Sequence, residues 1–303
     1  MRRRIAISSL IGVAAGAFCF FLMRRLHAGA GDFGWTIHLA QRWLARQNPY
    51  DTPYEQYPFT AGLFGLPFAR VPREIAAGIF FGISSGLMAF GLAREGYHRL
   101  LVFLAYPYWI ALLYVQWAPL ILASAFLPLL LPVTMAKPQV GLPIFLTRLS
   151  KRGFWACVAV GIASLAMFPR WPMLWLAQVH SYEHFIALLV LPGPVILLAL
   201  LRYRDRDAIL LVLTACMPQR WFFDALILWL IPKTRREIIV TVFFSWCAGI
   251  WRYYLPPHSF TQVGRLVVIF IYLPMLAIVL LRGRNSKPGG ASEEMKQRAE
   301  RVG

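Results

Sequence analysis

The sequence predicts an all-α fold, a polytopic transmembrane helical bundle. Three observations predict it. Apolar residues make up 59% of the 303-residue chain, charged residues only 15%, and the mean hydropathy is +0.58. An ordinary soluble domain carries about 25% charged residues and could not bury this much apolar surface, so lipid must be the solvent for most of the chain. These figures exclude a soluble globular enzyme, a disordered chain and a disulfide-stapled secreted domain. Cys19, Cys157, Cys216 and Cys247 all fall within apolar runs without C-x-x-C spacing and read as small buried hydrophobes.

The elements follow in order. MRRR leads into IAISSLIGVAAGAFCFFLM, a run longer than the apolar core of a signal peptide. Arg24-Arg25 stands where a small-residue cleavage site would lie, so residues 5–23 read as an uncleaved first helix. Its GVAAG at 12–16 permits close helix packing. A span needs about 20 mostly apolar residues, with ~17 near the lower limit. On that measure 75–93, 99–116, 154–169, 185–201, 237–251 and 264–281 are further strong candidates. Weaker, proline-broken candidates are 58–70, 118–136, 138–149 and 208–231. The expectation is about eight to ten membrane helices in one unit over 1–282, some of them short or re-entrant, followed by a mobile polar tail, 283–303. In particular, 117–136, with Pro119, Pro128 and Pro132, is either one kinked helix or a re-entrant pair that returns Lys137 to the face of Gln116.

Lys and Arg number 31 against 13 Asp and Glu, a net charge of +18. In a lipid-embedded chain such an excess is first a topology signal and needs no nucleic acid. Basic clusters recur at Arg2–Arg4, Arg94/Arg99, Arg148/Lys151/Arg152, Arg202/Arg204/Arg206, Lys233/Arg235/Arg236 and Arg282/Arg284/Lys287. Placing all of them on the cytoplasmic side puts the N-terminus there and the loop 24–57 outside. Arg24, Arg25, Arg42 and Arg46 then lie on the wrong side for orientation, and an anionic ligand would account for them.

That outer loop is the longest polar stretch. Phe33, Ile37, Ala40 and Leu44 fall on one helical face, so 33–46 reads as an interfacial amphipathic helix with Asp32 at its N-cap. Asp32 is either no more than that cap or a carboxylate at the membrane surface able to accept a proton. Asn48-Pro49-Tyr50-Asp51 forms a turn. Trp35, Trp43, Tyr50, Tyr54 and Tyr57 suit either an interfacial belt or stacking against sugars.

An acidic residue soon after the first helix is followed by Ala40-x-x-x-Leu44-x-x-x-x-Pro49-Tyr50-Asp51. Then come Tyr57-Pro58 and a short apolar segment ending in Leu66-Pro67-Phe68-Ala69. This order resembles the polytopic GT-C glycosyltransferases, and most closely glycosyltransferase family 87, the polyprenyl-phosphate-mannose-dependent mannosyltransferases. Gln116 stands where that family has Gly-Gln, with Val115 replacing the glycine, and Lys137-Pro138 matches its Lys-Pro. The stretch 217–230 has Pro218 and Trp221 but no His where the family often has one. The resemblance implies an inverting transfer of a hexose such as mannose from a polyprenyl-phosphate-linked sugar donor to a glycan or lipid acceptor, in a bacterial plasma membrane. Asp32 would be the general base. Lys137, Arg220, Arg25 and Arg42 would hold the donor phosphate, and Gln116, Tyr50, Asp51, Tyr57 and His38 would line the substrate site. No cofactor or metal is implied.

Other readings compete. Arg220 and Asp224 are spaced as an i,i+4 pair. His180-Ser181-Tyr182-Glu183-His184 matches the H-x-x-E-H zinc pattern, with Asp224 or Glu237 as the downstream acid, or is a polar outer loop. Broken helices and intramembrane basic residues also suit a transporter or lipid-carrier flippase. A non-catalytic membrane subunit would use Asp32 as a cap alone.

Overall fold

The computed structural model describes residues 1–51, 56–179 and 182–282. The described residues are 78% helical, which fixes the all-α class. Among the described residues, three helices are long and apolar enough to cross a membrane. They are α1 (Arg2–Leu26), α4 (Arg73–Leu92) and the continuous helix from Phe260 to Arg282. Between the first two lie α2 (Phe33–Leu44) and α3 (Phe59–Gly65).

α1 and α4 pack antiparallel, backbone against backbone. Gly12 and Gly16 of α1 face Gly78, Gly82 and Gly86 of α4. A Cβ on Gly16 would stand 2.7 Å from the Gly78 carbonyl oxygen, and one on Gly82 would stand 2.9 Å from that of Gly12. The GVAAG spacing therefore serves close approach, as the sequence suggested.

Several expected spans are broken. Residues 99–116 divide at Ala105 into a 3₁₀ stretch, Tyr97–Leu104, and α5 (Tyr106–Leu113). Pro107 favours a fresh helix start there, and the Ser245 hydroxyl accepts the Tyr106 N–H at 3.1 Å. Residues 118–136 become α6 (Ala118–Ser124) and a 3₁₀ stretch, Pro128–Met135, because Pro128 and Pro132 supply no N–H for a continuous ladder. α7 (Pro138–Arg148) leads back from Lys137. The Lys137 and Gln116 side chains touch at 2.8 Å, so the hairpin does return to its starting level, as the re-entrant alternative held.

α8 (Lys151–Met167) turns by 98° into α9 (Trp171–Val179), and this bent pair is a fourth candidate span. The helix expected over 185–201 is instead a strand, β1 (Phe185–Ile186), with 3₁₀ turns at Ala187–Leu189 and Gly193–Arg202. Pro192 and Pro194 exclude a regular α-helix. Residues 208–231 become α10 (Arg206–Cys216), β2 (Pro218–Gln219) and a 3₁₀ stretch, Phe222–Leu230, broken at Pro218. The two strands pair antiparallel, Phe185 opposite Gln219. α11 (Arg235–Tyr254) opens with a capping box between Thr234 and Glu237. The last helix comprises α12 (Phe260–Val267), a π turn at Val268–Tyr272 and α13 (Leu273–Arg282). Pro274, which has no N–H to give the ladder, accounts for the π turn.

The basic clusters gather at one end of this bundle. Asp207 takes Arg282 at 3.0 Å, Arg148 at 3.5 Å and Lys233 at 3.7 Å, and Arg282 also reaches Glu237 at 2.9 Å. Arg99, fully buried, pairs with Glu95 at 3.2 Å. Arg3 lies over the Tyr97 ring, Arg4 over Phe90, and Arg202 donates to the Leu280 carbonyl. Arg284, Lys287 and the expected tail 283–303 fall outside the described residues. The loop that carries Asp32 follows the other end of α1.

Gly82→Leu should lower stability by about 2 kcal/mol through overpacking against Gly12 and Gly16. Ile83→Leu on the exposed face of the same helix should not. Thermal unfolding of the detergent-solubilised variants checks both.

Candidate functional site

The site is built where three chain breaks meet. The first is the end of α5. Val115 N–H donates to Leu112 O at 3.2 Å and Gln116 N–H to Ala111 O at 2.8 Å, the hydrogen-bond pair of a Schellman cap. The cap requires a left-handed residue, and Val115 takes that role at φ 49°. Gln116 emerges from the cap and points back across the bundle.

The second break is the turn that delivers Asp32. Gly31 has φ +52°, and a Cβ there would sit 2.7 Å from the Tyr114 carbonyl oxygen. That same carbonyl accepts the Asp32 N–H at 2.9 Å. On the other side of Asp32, the fully buried Phe33 stacks on Phe80 at 3.9 Å and meets Trp117 edge-on at 5.8 Å. Asp32 is thus held from both sides in the chain. It occupies the N-cap position of α2, yet its side chain makes no capping hydrogen bond. The cap reading is corrected accordingly: Oδ2 instead accepts from the Tyr57 hydroxyl at 2.6 Å and from Gln116 Nε2 at 2.6 Å.

The third break joins Lys137 to the 218–224 segment. Lys137 is almost fully buried. Its Nζ lies 2.8 Å from Asp224 Oδ1 and 2.8 Å from Gln116 Oε1, and 4.6 Å from the centre of the Phe223 ring. Asp224 is itself buried, and its Oδ2 accepts the Arg220 backbone N–H at 2.9 Å. Arg220 and Asp224 are therefore not a side-chain pair on an α-helix, because the chain around them is strand and 3₁₀ turn.

These groups surround a cavity of about 630 Å³. Asp32, Tyr57, Gln116, Lys137 and Arg220, all singled out in the sequence, line it. Aromatic walls come from Trp35, Tyr114, Trp221, Phe223 and Phe260. Tyr182 and Glu183 enter because the β1–β2 pairing holds 182–184 beside 220–221. Burial and then the Asp32 charge push the Tyr57 phenol well above its ordinary value, so it remains a donor at neutral pH. Burial likewise raises the Tyr182 phenol.

Five expected site residues do not line the cavity. Arg25 is exposed in the last turn of α1, where a cation complements the helix dipole. Arg42 donates to the Asn48 carbonyl at 3.0 Å and lies 3.8 Å from Asp51, so both residues serve the turn after α2. Tyr50 is buried and donates its hydroxyl to the Tyr57 carbonyl at 3.1 Å, supporting Tyr57 from behind. His38 sits half-buried on α2, where burial and then Arg42 and Arg73 hold its imidazole below the ordinary value. The Arg46 side chain is exposed, and its backbone occupies a left-handed cap at φ 56°. The wrong-side arginines thus sit at helix ends and in a turn.

Asp224 was weighed only as a zinc ligand or a partner of Arg220. The signal that would have found it is the lone buried lysine, which needs a counter-charge. Of the H-x-x-E-H pattern, His180 and Ser181 lie outside the described residues, as does Tyr54. His184 hydrogen-bonds the Tyr182 carbonyl at 2.6 Å. Among the described residues no three His, Cys, Asp or Glu side chains converge as a metal site.

No family model, curated protein or solved structure matches the chain.

The geometry around Gly31 gives a clear test. Gly31→Ala should destabilise by about 2 kcal/mol, since it combines left-handed strain with a clash on the Tyr114 carbonyl. Gly34→Ala, whose Cβ would meet only Ala30 at 3.8 Å, should be neutral or stabilising. Unfolding midpoints of the two variants should therefore move in different directions.

Proposed function

We propose that the chain is a membrane glycosyltransferase of GT-C type. It transfers a hexose, mannose or a close relative, from a polyprenyl-phosphate sugar to a glycan or lipid acceptor. The observation that carries this reading is the state of Asp32. Two donors hold its Oδ2, while Oδ1 has no partner among the described residues and the carboxylate lines a cavity large enough for a sugar.

In this reading Oδ1 takes the proton of the acceptor hydroxyl. The oxygen attacks the anomeric carbon from the face opposite the phosphate. The carbon–phosphate-oxygen bond breaks, its electron pair leaves with the polyprenyl phosphate, and the configuration inverts. The added charge on the leaving phosphate needs a cation. Of the two cations lining the cavity, Lys137 is already neutralised by Asp224, whereas no carboxylate lies within ion-pair distance of Arg220 among the described residues. Arg220 is therefore the phosphate ligand, and Lys137 is withdrawn from that role.

The basic end of the bundle is cytoplasmic and the cavity faces the other side of the membrane, where lipid-linked sugars present their headgroups. Beyond the three or four long helices, the broken segments reach the cavity from the basic end and turn back, bringing the number of membrane-embedded elements to eight to ten. Irregular backbone at that depth is tolerated where it borders a wet cavity. The same broken elements favour a second reading, a lipid-carrier flippase, which would move a labelled lipid across vesicles without forming a glycoside.

Incubation of the purified protein with radiolabelled polyprenyl-phosphate mannose tests the proposal. Asp32→Asn should lower the transfer rate by about 10²–10⁴-fold while the protein remains folded. Wild-type transfer by that variant would refute the mechanism. Arg220→Gln should lower kcat and kcat/KM by about tenfold or more, because the charge it meets develops in the transition state. Cysteine-accessibility mapping of the Asp32 loop should place it outside, and labelling from the cytoplasmic side would overturn the topology.

A further inference from the structure

The Lys137–Asp224 pair consumes two of the few charges near the cavity without offering either to a ligand. Its consequence lies in Gln116. An ammonium can only donate and an ionised carboxylate can only accept, so the amide between them has one permitted orientation. Gln116 Oε1 must face Lys137 Nζ, at 2.8 Å, and Nε2 must then face Asp32 Oδ2, at 2.6 Å. Gln116 is buried, with 2% of its surface exposed, so no bulk water competes for either end. Without the ammonium, Oε1 would be a buried acceptor with no donor, and the amide would lose the anchor that holds Nε2 on Asp32.

We infer that Lys137 and Asp224 are positioning residues: the ion pair fixes the amide of Gln116, and Gln116 with Tyr57 fixes which oxygen of Asp32 is left open to the cavity. Asp224 supplies the counter-charge at 2.8 Å, without which a buried ammonium is costly. The Arg220 backbone N–H in turn holds Asp224 at 2.9 Å. The relay runs Asp224, Lys137, Gln116, Asp32, with Tyr57 closing its far end. Its use for catalysis rests on the transferase reading, while the ordering of Asp32 does not.

The test reads Asp32 directly and needs no substrate. A hydrophobic carbodiimide modifies protonated carboxyl groups, and mass spectrometry of the peptide containing Asp32 follows the extent of modification against pH. Among the described residues, the other titratable and charged groups around this cavity are Tyr57, Tyr114, Tyr182, Glu183, Lys137, Arg220 and Asp224. The double variant Lys137→Met/Asp224→Asn removes one charge of each sign, so net charge is unchanged, and Asn retains an oxygen for the Arg220 N–H. Losing an ordered donor favours the protonated carboxyl, and the labelling profile should move upward by about one pH unit. Gln116→Leu should produce a shift of the same size, and the triple variant no further shift.

An unmoved profile in the folded double variant, or a shift that adds to that of Gln116→Leu, would overturn the inference. An unmoved profile in Gln116→Leu would overturn it as well, whether or not the double variant folds. Sugar transfer is measured separately. If Asp32→Asn still transfers while the labelling shifts appear as stated, the transferase reading falls and the positioning relay stands.

Discussion

A lysine ammonium buried in an apolar bundle must find its counter-charge and its hydrogen bonds inside the protein. Lys137 finds them in Asp224 and Gln116, and those two residues come from segments about 20 positions before it and about 90 after it. The requirement therefore binds together three places where helices stop. None of the three could move independently without leaving a buried charge or a buried amide unsatisfied, an outcome that costs several kcal/mol. The cavity is the space these stops leave between them, and the same interactions that close its floor aim Asp32 into it.

The charge of +18 now has two distinct physical roles. Most of it sits at one end, and not as a loose fringe. Asp207, Glu237 and Glu95 thread between Arg148, Lys233, Arg282 and Arg99, so several basic loops are locked to one another. Topology signal and structural lock are the same residues. The remainder of the charge, at the other end, was expected to mark an anion site. Most of it belongs to helix termini and to a turn, where a cation faces carbonyl oxygens or Asp51. Among the described residues that line the cavity, Arg220 is the cation without a carboxylate partner, and that one position is more informative than the total.

Much of this was legible in the chain, and the parts that were not have definite causes. The first and last spans read clearly because their apolar runs are long, and proline marked the breaks within 118–136 and 208–231. Asp32 was legible from its position after the first helix, and Gln116 and Lys137 from their order along the chain. The end of α5 was not legible. Its left-handed cap falls on Val115, a β-branched residue that local preference would exclude from that conformation, so nothing in the sequence announces the turn that aims Gln116. Asp224 was hidden by periodicity. Four residues after Arg220 it looks like a helical surface pair, but the Pro218 break removes the helix on which that spacing depends. Spacing arguments hold only where the period holds, and the site lies where the period is interrupted.

Those interruptions are also what make a polar site affordable in an apolar chain. A continuous helix satisfies its own backbone and offers a membrane only side chains. A segment that stops part-way exposes carbonyls and N–H groups that need partners. Here some are answered locally, as when Tyr114 O receives the Asp32 N–H and Asp224 receives the Arg220 N–H. Each answer places a functional side chain at a fixed point. Satisfying the broken backbone and assembling the site are accordingly one structural problem. A substitution that restored regular helix through Pro218 would lengthen an apolar span and at the same time remove the strand that brings Tyr182 and Arg220 to a common wall.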